Sequence, residues 1–267
     1  MEEAGRIFEY LPISFRSESE EEYIKFLWDA FLFNYENKKY QFAFLSFHMI
    51  FMCYVYSEIW QIRKNNSENF EKALVGFHKE KEAMLIKATS PFALTEIEES
   101  VVFRFFKLIG MDNSDIGKCT KIVKDRNEMT HSNGNIFFRD EKSLELKVEE
   151  VFRCIDKIQK CSAKIIVSCY EKFLKESSGV DKREYPDDRN QIREILIYKN
   201  YLSRKDMTTL KDYDVQKLAQ EQNFANIQSL TATLLELYKE EYDEGEMEEV
   251  EEAKDEETME VEEDIEE

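Results

Sequence analysis

FAFLSFHMIFMCYVY, residues Phe42–Tyr56, is the stretch on which the fold turns. Nearly every position is apolar, so it is either a membrane span or the central helix of a packed core. A span needs roughly 20 apolar residues. This run is shorter, contains Ser46 and His48, and continues on the same helix into Glu58 and Gln61. The reading is a buried core helix over about Lys39 to Lys64, with no membrane partner.

Outward from it the chain reads as helix after helix. Upstream, EEEYIKFLWDAFLFNYE follows Ser17 and Ser19, either of which can cap it, and carries acids in its first turn. Downstream, the break KNNSEN leads to a third helix, ENFEKALVGFHKEKEAMLIKA, with Ser67 as its cap and Thr89-Ser90-Pro91 as its stop. Thr95 and Glu98 stand in capping-box spacing before a fourth, which ends at Gly110. Asp112 or Ser114 opens a fifth, IGKCTKIVKDRNEMTH, and Gly134 marks its end. From about Ser143 to Lys175, Leu144, Val148, Val151, Phe152, Ile155, Ile158, Ile165, Ile166 and Phe173 recur at helical spacing. A polar linker, DKREYPDD, precedes two or three shorter, less apolar helices.

Composition agrees with an all-α fold. Hydrophobic residues make up 42%, enough for a sizeable core. Only 7 glycines and 3 prolines argue against a turn-rich sandwich or barrel, and no glycine-rich strand-to-helix turn supports a doubly wound α/β sheet. The net charge of −20 is misleading as a whole-chain figure. Residues 240–267 hold 18 Asp and Glu against one Lys, leaving a body near neutrality that is not repelled by nucleic acid. The expected organisation is a helical bundle over 1–176, accessory helices over 186–239, and a disordered acidic tail over 240–267. The tail has three readings: a solvating extension, a docking segment for a basic partner, or a polyanion that folds over a basic site and competes with RNA. Cys53, Cys119, Cys154, Cys161 and Cys169 form no paired spacing, so buried free thiols in a reducing cytoplasm are expected. MEEAGRIFEY lacks the basic start and apolar run of a signal peptide.

Chemistry concentrates in Lys-Asp-Arg-Asn-Glu-Met-Thr-His, residues 124 to 131. Of the three histidines, His48 reads as a core or interface residue and His78 as solvent-facing. His131 sits at a helix end, where the dipole favours a cation. Asn127 and His131 are four apart and share a face, whereas Arg126 and His131 are five apart, about 140° around an ideal helix. They converge only if the helix end distorts or a second copy of the site contributes. A guanidinium that grips two phosphate oxygens beside an imidazole that moves protons suits phosphodiester chemistry, with no metal or other cofactor needed. Lys118, Lys121 and Lys124 before the motif, and Arg139 and Lys142 after it, make a basic stretch that can track a phosphate backbone. Taken as ordinary structure, Arg126 is a surface salt-bridge partner of a Glu or Asp on its own helix, Asn127 and His131 form a helix C-terminal cap, and the lysines are a solvated face.

An all-helical domain carrying Arg126-Asn127-Glu128-Met129-Thr130-His131 resembles the HEPN (higher eukaryotes and prokaryotes nucleotide-binding) superfamily, over roughly residues 20 to 176. The resemblance implies a metal-independent endoribonuclease, with sites paired across a homodimer. It implies a setting in toxin–antitoxin pairs, abortive infection or other antiviral defence, with an antitoxin or defence-system protein as partner. On this chain His131 would be the general acid or base, Arg126 would hold the scissile phosphate, and Asn127 would orient one of them. RNA would be cut by its own 2′-hydroxyl, leaving a 2′,3′-cyclic phosphate, and DNA would survive. The alternative is a non-catalytic helical module of the same fold whose acidic tail binds a basic partner. A weaker third reading makes the tail itself the function, as an acidic chaperone or nucleic-acid mimic.

Overall fold

The structure is a computed structural model, and it describes residues 2–239; the tail expected over 240–267 lies outside the described residues. Among the described residues the chain is all-α, without strands. Its helices are α1 (Glu2–Gly5), α2 (Glu18–Glu36), α3 (Tyr40–Asn65), α4 (Ser67–Ala73), α5 (Lys79–Lys87), α6 (Glu99–Val102), α7 (Asn113–Thr130), α8 (Glu141–Ser177), α9 (Asp188–Asn190), α10 (Arg204–Lys211) and α11 over 224–239.

Packing is organised around α3, because its sequence is apolar on every side. Phe44, Phe47, Ile50, Phe51, Tyr54, Val55 and Ile59 are all fully buried. By length and composition α3 would pass as a membrane span, yet 83% of its most apolar window is covered by the protein itself. Next to it packs α2, capped by Ser17, whose Oγ accepts from the Glu20 N–H at 3.3 Å. Ile24, Leu27 and Phe31 of α2 point inward, and Phe31 meets Phe47 at 5.7 Å. On α8 the inward set is Leu144, Val148, Val151, Phe152, Ile155, Ile158 and Ile166, as the helical spacing predicts. The five cysteines are free, and Cys161 alone among them is partly exposed.

Two segments differ from the sequence reading. The single third helix is broken into α4 and α5, with a tight 3-10 turn Leu74–Gly76 and an extended Phe77 between them. Gly76, a weak helix former, sits at the break, and the rings of Phe70 and Phe77 both settle on Phe105. The fourth helix does not start at Thr95. Ser90 caps a 3-10 helix Pro91–Glu96, accepting from the Phe92 N–H at 3.2 Å. Glu98 is then extended, α6 follows, and a second 3-10 stretch Phe103–Ile109 ends at Gly110 with φ +85°. Phe103, Phe105 and Phe106 are all buried there, wedged among α3, α4 and α7, while Arg104 and Lys107, three apart, share the exposed side.

The compact units cut the chain differently from its linker. One comprises Met1–Phe173 and Arg193–Asp212, so residues 193–212 of the expected accessory segment group with the main body. Gln61 of α3 donates to the Tyr201 carbonyl (3.1 Å) and to Asp206 (2.9 Å), and the Ile13 N–H donates to the Leu202 carbonyl (2.9 Å). The other unit comprises Leu174–Ile192 and, of the described residues, those from 213 to 239. Its core is the inner face of α11, with Ile227, Leu230, Leu234 and Leu237 buried. Asn226 donates to the Ser178 carbonyl at 2.7 Å, and Lys175 pairs with Glu221 at 3.0 Å.

Candidate functional site

The helix that carries the Arg-Asn-x-x-x-His motif is set by its caps. Asp112 opens α7 by accepting from the Asp115 N–H at 2.9 Å. His131 ends it, its backbone turned to an extended conformation (φ −81°, ψ 144°). Asn133 folds back to donate to the Glu128 carbonyl (2.9 Å), and Gly134 takes φ +78°, which only glycine adopts without cost. Gln41 at the start of α3 clamps both sides of the turn. Its Nε2 donates to the Met129 carbonyl (2.9 Å), and its Oε1 accepts from the Phe137 N–H (3.1 Å). Phe138 anchors the loop edge-on against Phe44 at 5.4 Å.

Along this frame the motif residues separate. Asn127 and His131 are exposed, and Asn127 lends its carbonyl to the Thr130 hydroxyl (2.8 Å). Arg126 turns the other way. Its Nη2 is ion-paired with Glu99 of α6, and its side chain is 23% exposed. Among the described residues no hydrogen bond or ion pair joins Arg126, Asn127 and His131 to one another. Lys121, Lys124 and Arg139 are exposed and, among the described residues, without ion-pair partners, whereas Lys118 is tied to Asp115 at 2.8 Å. Asp125, beside Arg126, binds Lys147 at 2.5 Å.

Glu99 has a second partner that the sequence does not reveal. His48 of α3, fully buried, meets the same Oε2 through its Nε2 at 2.9 Å. Burial holds the His48 pKa below its ordinary value, against the pull of Glu99. Burial of Glu99 on its own would push its carboxyl up. The His48 hydrogen bond and the Arg126 charge outweigh it, so the carboxyl is held below the usual carboxylate range. A neutral imidazole facing an ionised carboxylate must donate, which puts the proton on Nε2 and leaves Nδ1 an acceptor. That Nδ1 is buried without a partner, and so is Nε of Arg126. An unmet buried polar atom costs about 1–3 kcal/mol, so this is an expensive way to join two helices. Tyr56, buried beside it, has its hydroxyl pKa raised by burial first and by the Glu99 charge second.

No family model, curated protein or solved structure matches this chain.

Among the described residues no group of three His, Cys, Asp or Glu side chains could hold a metal ion. Two surface pockets, of about 420 Å³ beside Phe105 and about 440 Å³ beside Cys119, are lined by neither Arg126 nor His131. What the local arrangement offers is a half-buried guanidinium fixed from behind by a carboxylate, close in sequence to an exposed imidazole at a helix end. Sequence reading missed Glu99 and His48 because each is unremarkable alone. The one signal was a titratable ring inside an otherwise aromatic run, which needs a polar partner once buried.

Proposed function

We propose that the chain is a metal-independent endoribonuclease of the HEPN type, acting as a toxin or antiviral effector in the cytoplasm. One observation carries the reading. In an all-α body, Arg126-Asn127-x-x-x-His131 spans the end of one helix, with the guanidinium braced and the imidazole open to solvent. His131 takes the proton of an RNA 2′-hydroxyl as that oxygen bonds to the adjacent phosphorus. The bond from phosphorus to the 5′-oxygen breaks, and a proton returns to the leaving oxygen. Arg126 neutralises charge that builds on the phosphoryl oxygens, and Asn127 orients the imidazole or the phosphate. Lys121, Lys124 and Arg139 hold flanking phosphates.

A single copy holds Arg126 and His131 apart, so the reading includes a homodimer whose two motifs share one cleft. Exposed apolar residues on the α2–α3 hairpin support it: Tyr23, Phe26 and Phe33 on α2, and Phe42 and Met49 on α3. Phe42 adjoins Gln41, the residue that clamps the end of α7. An antitoxin or defence-system protein is the proposed partner. The same separation favours a second reading, a non-catalytic HEPN-like module that binds partners through this hairpin and its acidic tail.

The test is incubation with single-stranded RNA in EDTA, with product ends mapped. Wild type should leave 2′,3′-cyclic phosphates, and Arg126→Ala and His131→Ala should each lose at least about 100-fold in rate. An all-deoxy substrate should be untouched. Cleavage that persists equally in both variants would remove the assignment, and no cleavage by full-length or tail-deleted protein would favour the binding module.

A further inference from the structure

We propose that Glu99 is the positioning residue for Arg126, fixing the plane of its guanidinium so that Nη1 is presented to a phosphate. The inference rests on reading Arg126 as the phosphate-binding group, and it assigns a role to two residues outside the motif.

Three observations carry it. First, Glu99 engages Arg126 through Nη2 alone, and among the described residues no side chain engages Nη1. A carboxylate on one terminal nitrogen stops rotation about the last bonds of a long, flexible side chain and leaves the other terminal nitrogen for a ligand. Second, Glu99 is itself held. The same Oε2 accepts from His48, and the two supporting helices are locked by rings: Phe103, just after α6, stacks on Phe51 of α3 at 6.1 Å, and Phe51 lies edge-on to His48 at 6.1 Å. Phe44 packs on the other side of His48 at 6.2 Å. The contacts run without a break from Phe103 through Phe51, His48 and Glu99 to the guanidinium. Third, the arrangement leaves His48 Nδ1 and Arg126 Nε buried and unpaired. An apolar pair would join α3, α6 and α7 with no such penalty, so stability alone does not explain it. Unsatisfied buried groups of this kind collect where geometry serves a task.

The arrangement also makes His48 the brace rather than a second proton carrier. It is enclosed by Phe44, Phe51 and Glu99, with Arg126 and Lys147 opposing its protonation, and it does not reach solvent.

The experiment compares full-length wild type, Glu99→Ala, Glu99→Gln and His48→Phe. RNA cleavage is measured as kcat and KM, and the Arg126 Nε–H resonance, assigned by its loss in Arg126→Lys, is followed by NMR with and without a single-stranded DNA oligonucleotide. In wild type the resonance should be narrow and should shift on addition of the oligonucleotide. Glu99→Ala should broaden it and lower kcat about 10- to 100-fold while KM moves less than about threefold. Glu99→Gln, which keeps an acceptor at the same place, should restore most of both, and it also guards against simple misfolding of the alanine variant. His48→Phe should fall between them. An unchanged resonance in Glu99→Ala would overturn the proposal, as would cleavage at or above the wild-type rate, since Glu99 would then be an ordinary salt bridge or a mask over Arg126. If wild type cleaves no RNA, the linewidths still judge the hold of Glu99. If DNA leaves the wild-type resonance unmoved, the phosphate reading of Arg126 fails, and the positioning role falls with it.

Discussion

Glu58 shows how strongly burial rewrites a single residue. It lies on α3 with 1% exposure, accepts from the Ser162 hydroxyl, and faces a second carboxyl, Asp206, that is fully buried. Asp206 accepts from Gln61 Nε2 (2.9 Å), Gln159 Nε2 (2.6 Å) and the Ser203 N–H (2.9 Å), so it is the better hydrogen-bonded of the two, although burial raises its carboxyl pKa as well. Burial first, and the Asp206 charge second, raise the Glu58 pKa well above the ordinary carboxyl value. A carboxyl whose folded pKa is raised stabilises the fold while it keeps its proton. That contribution is lost as pH rises from the ordinary carboxyl range toward the folded pKa. Glu58→Gln, an uncharged isostere, should therefore melt higher than wild type at pH 8, with a smaller gap at pH 5. Parallel melting curves across that range would show that Glu58 carries no such proton.

At the scale of elements, α7 has to hold Arg126 toward Glu99 and deliver His131 to the surface, and its start governs its persistence. Asp112 satisfies one orphan N–H of the first turn, and among the described residues no other side chain caps that end. Asp112→Ala should cost about 1 kcal/mol, a fall in Tm of a few degrees. The pairing of Arg126 with Glu99, almost four turns away, should survive, so RNA cleavage per folded molecule should be unchanged at a temperature well below Tm. A larger loss of activity than of stability would mean that the N-terminal turn of α7 acts directly on the site. The broken helix at Leu74–Gly76 and the 3-10 stretch at Phe103–Ile109 belong to the same scale. Neither was legible as a break, because propensity and capping signals are local. What interrupts both is a shared aromatic cluster in which Phe105 meets Phe70 and Phe77, from a segment well outside the reach of local signals.

At the scale of the molecule, the proposed shared cleft depends on the exposed rings of the α2–α3 hairpin. Phe26, Phe33 and Phe42 are 66%, 67% and 57% exposed, against near-zero values for Phe31, Phe44 and Phe47, which lie two or five positions away on the same helices. Three exposed rings on one hairpin are costly in water, and they are the contact surface of the proposed dimer. Phe33→Glu with Phe42→Glu should convert a dimer into a 31.9 kDa monomer in sedimentation and should lower RNA cleavage together with it. A wild type that already sediments as a monomer would discard the shared-cleft version of the site.

The sequence by itself determined the helical class, the core role of the helix that holds Phe42–Tyr56 and the inward face of the long helix α8, and it narrowed the cap of α7 to Asp112 or Ser114. Those features follow from periodicity and from side chains within a turn or two of each other, which a linear reading captures. It also marked Arg126, Asn127 and His131 as neighbours in one motif. Only the tertiary structure decided that Arg126 turns inward while His131 stays out, and that residues 193–212 join the main body. It alone linked His48 and Glu99 across 51 positions. Such pairings arise because a buried charge or ring nitrogen must find a partner from whatever element packs beside it, and that neighbour is set by the whole fold.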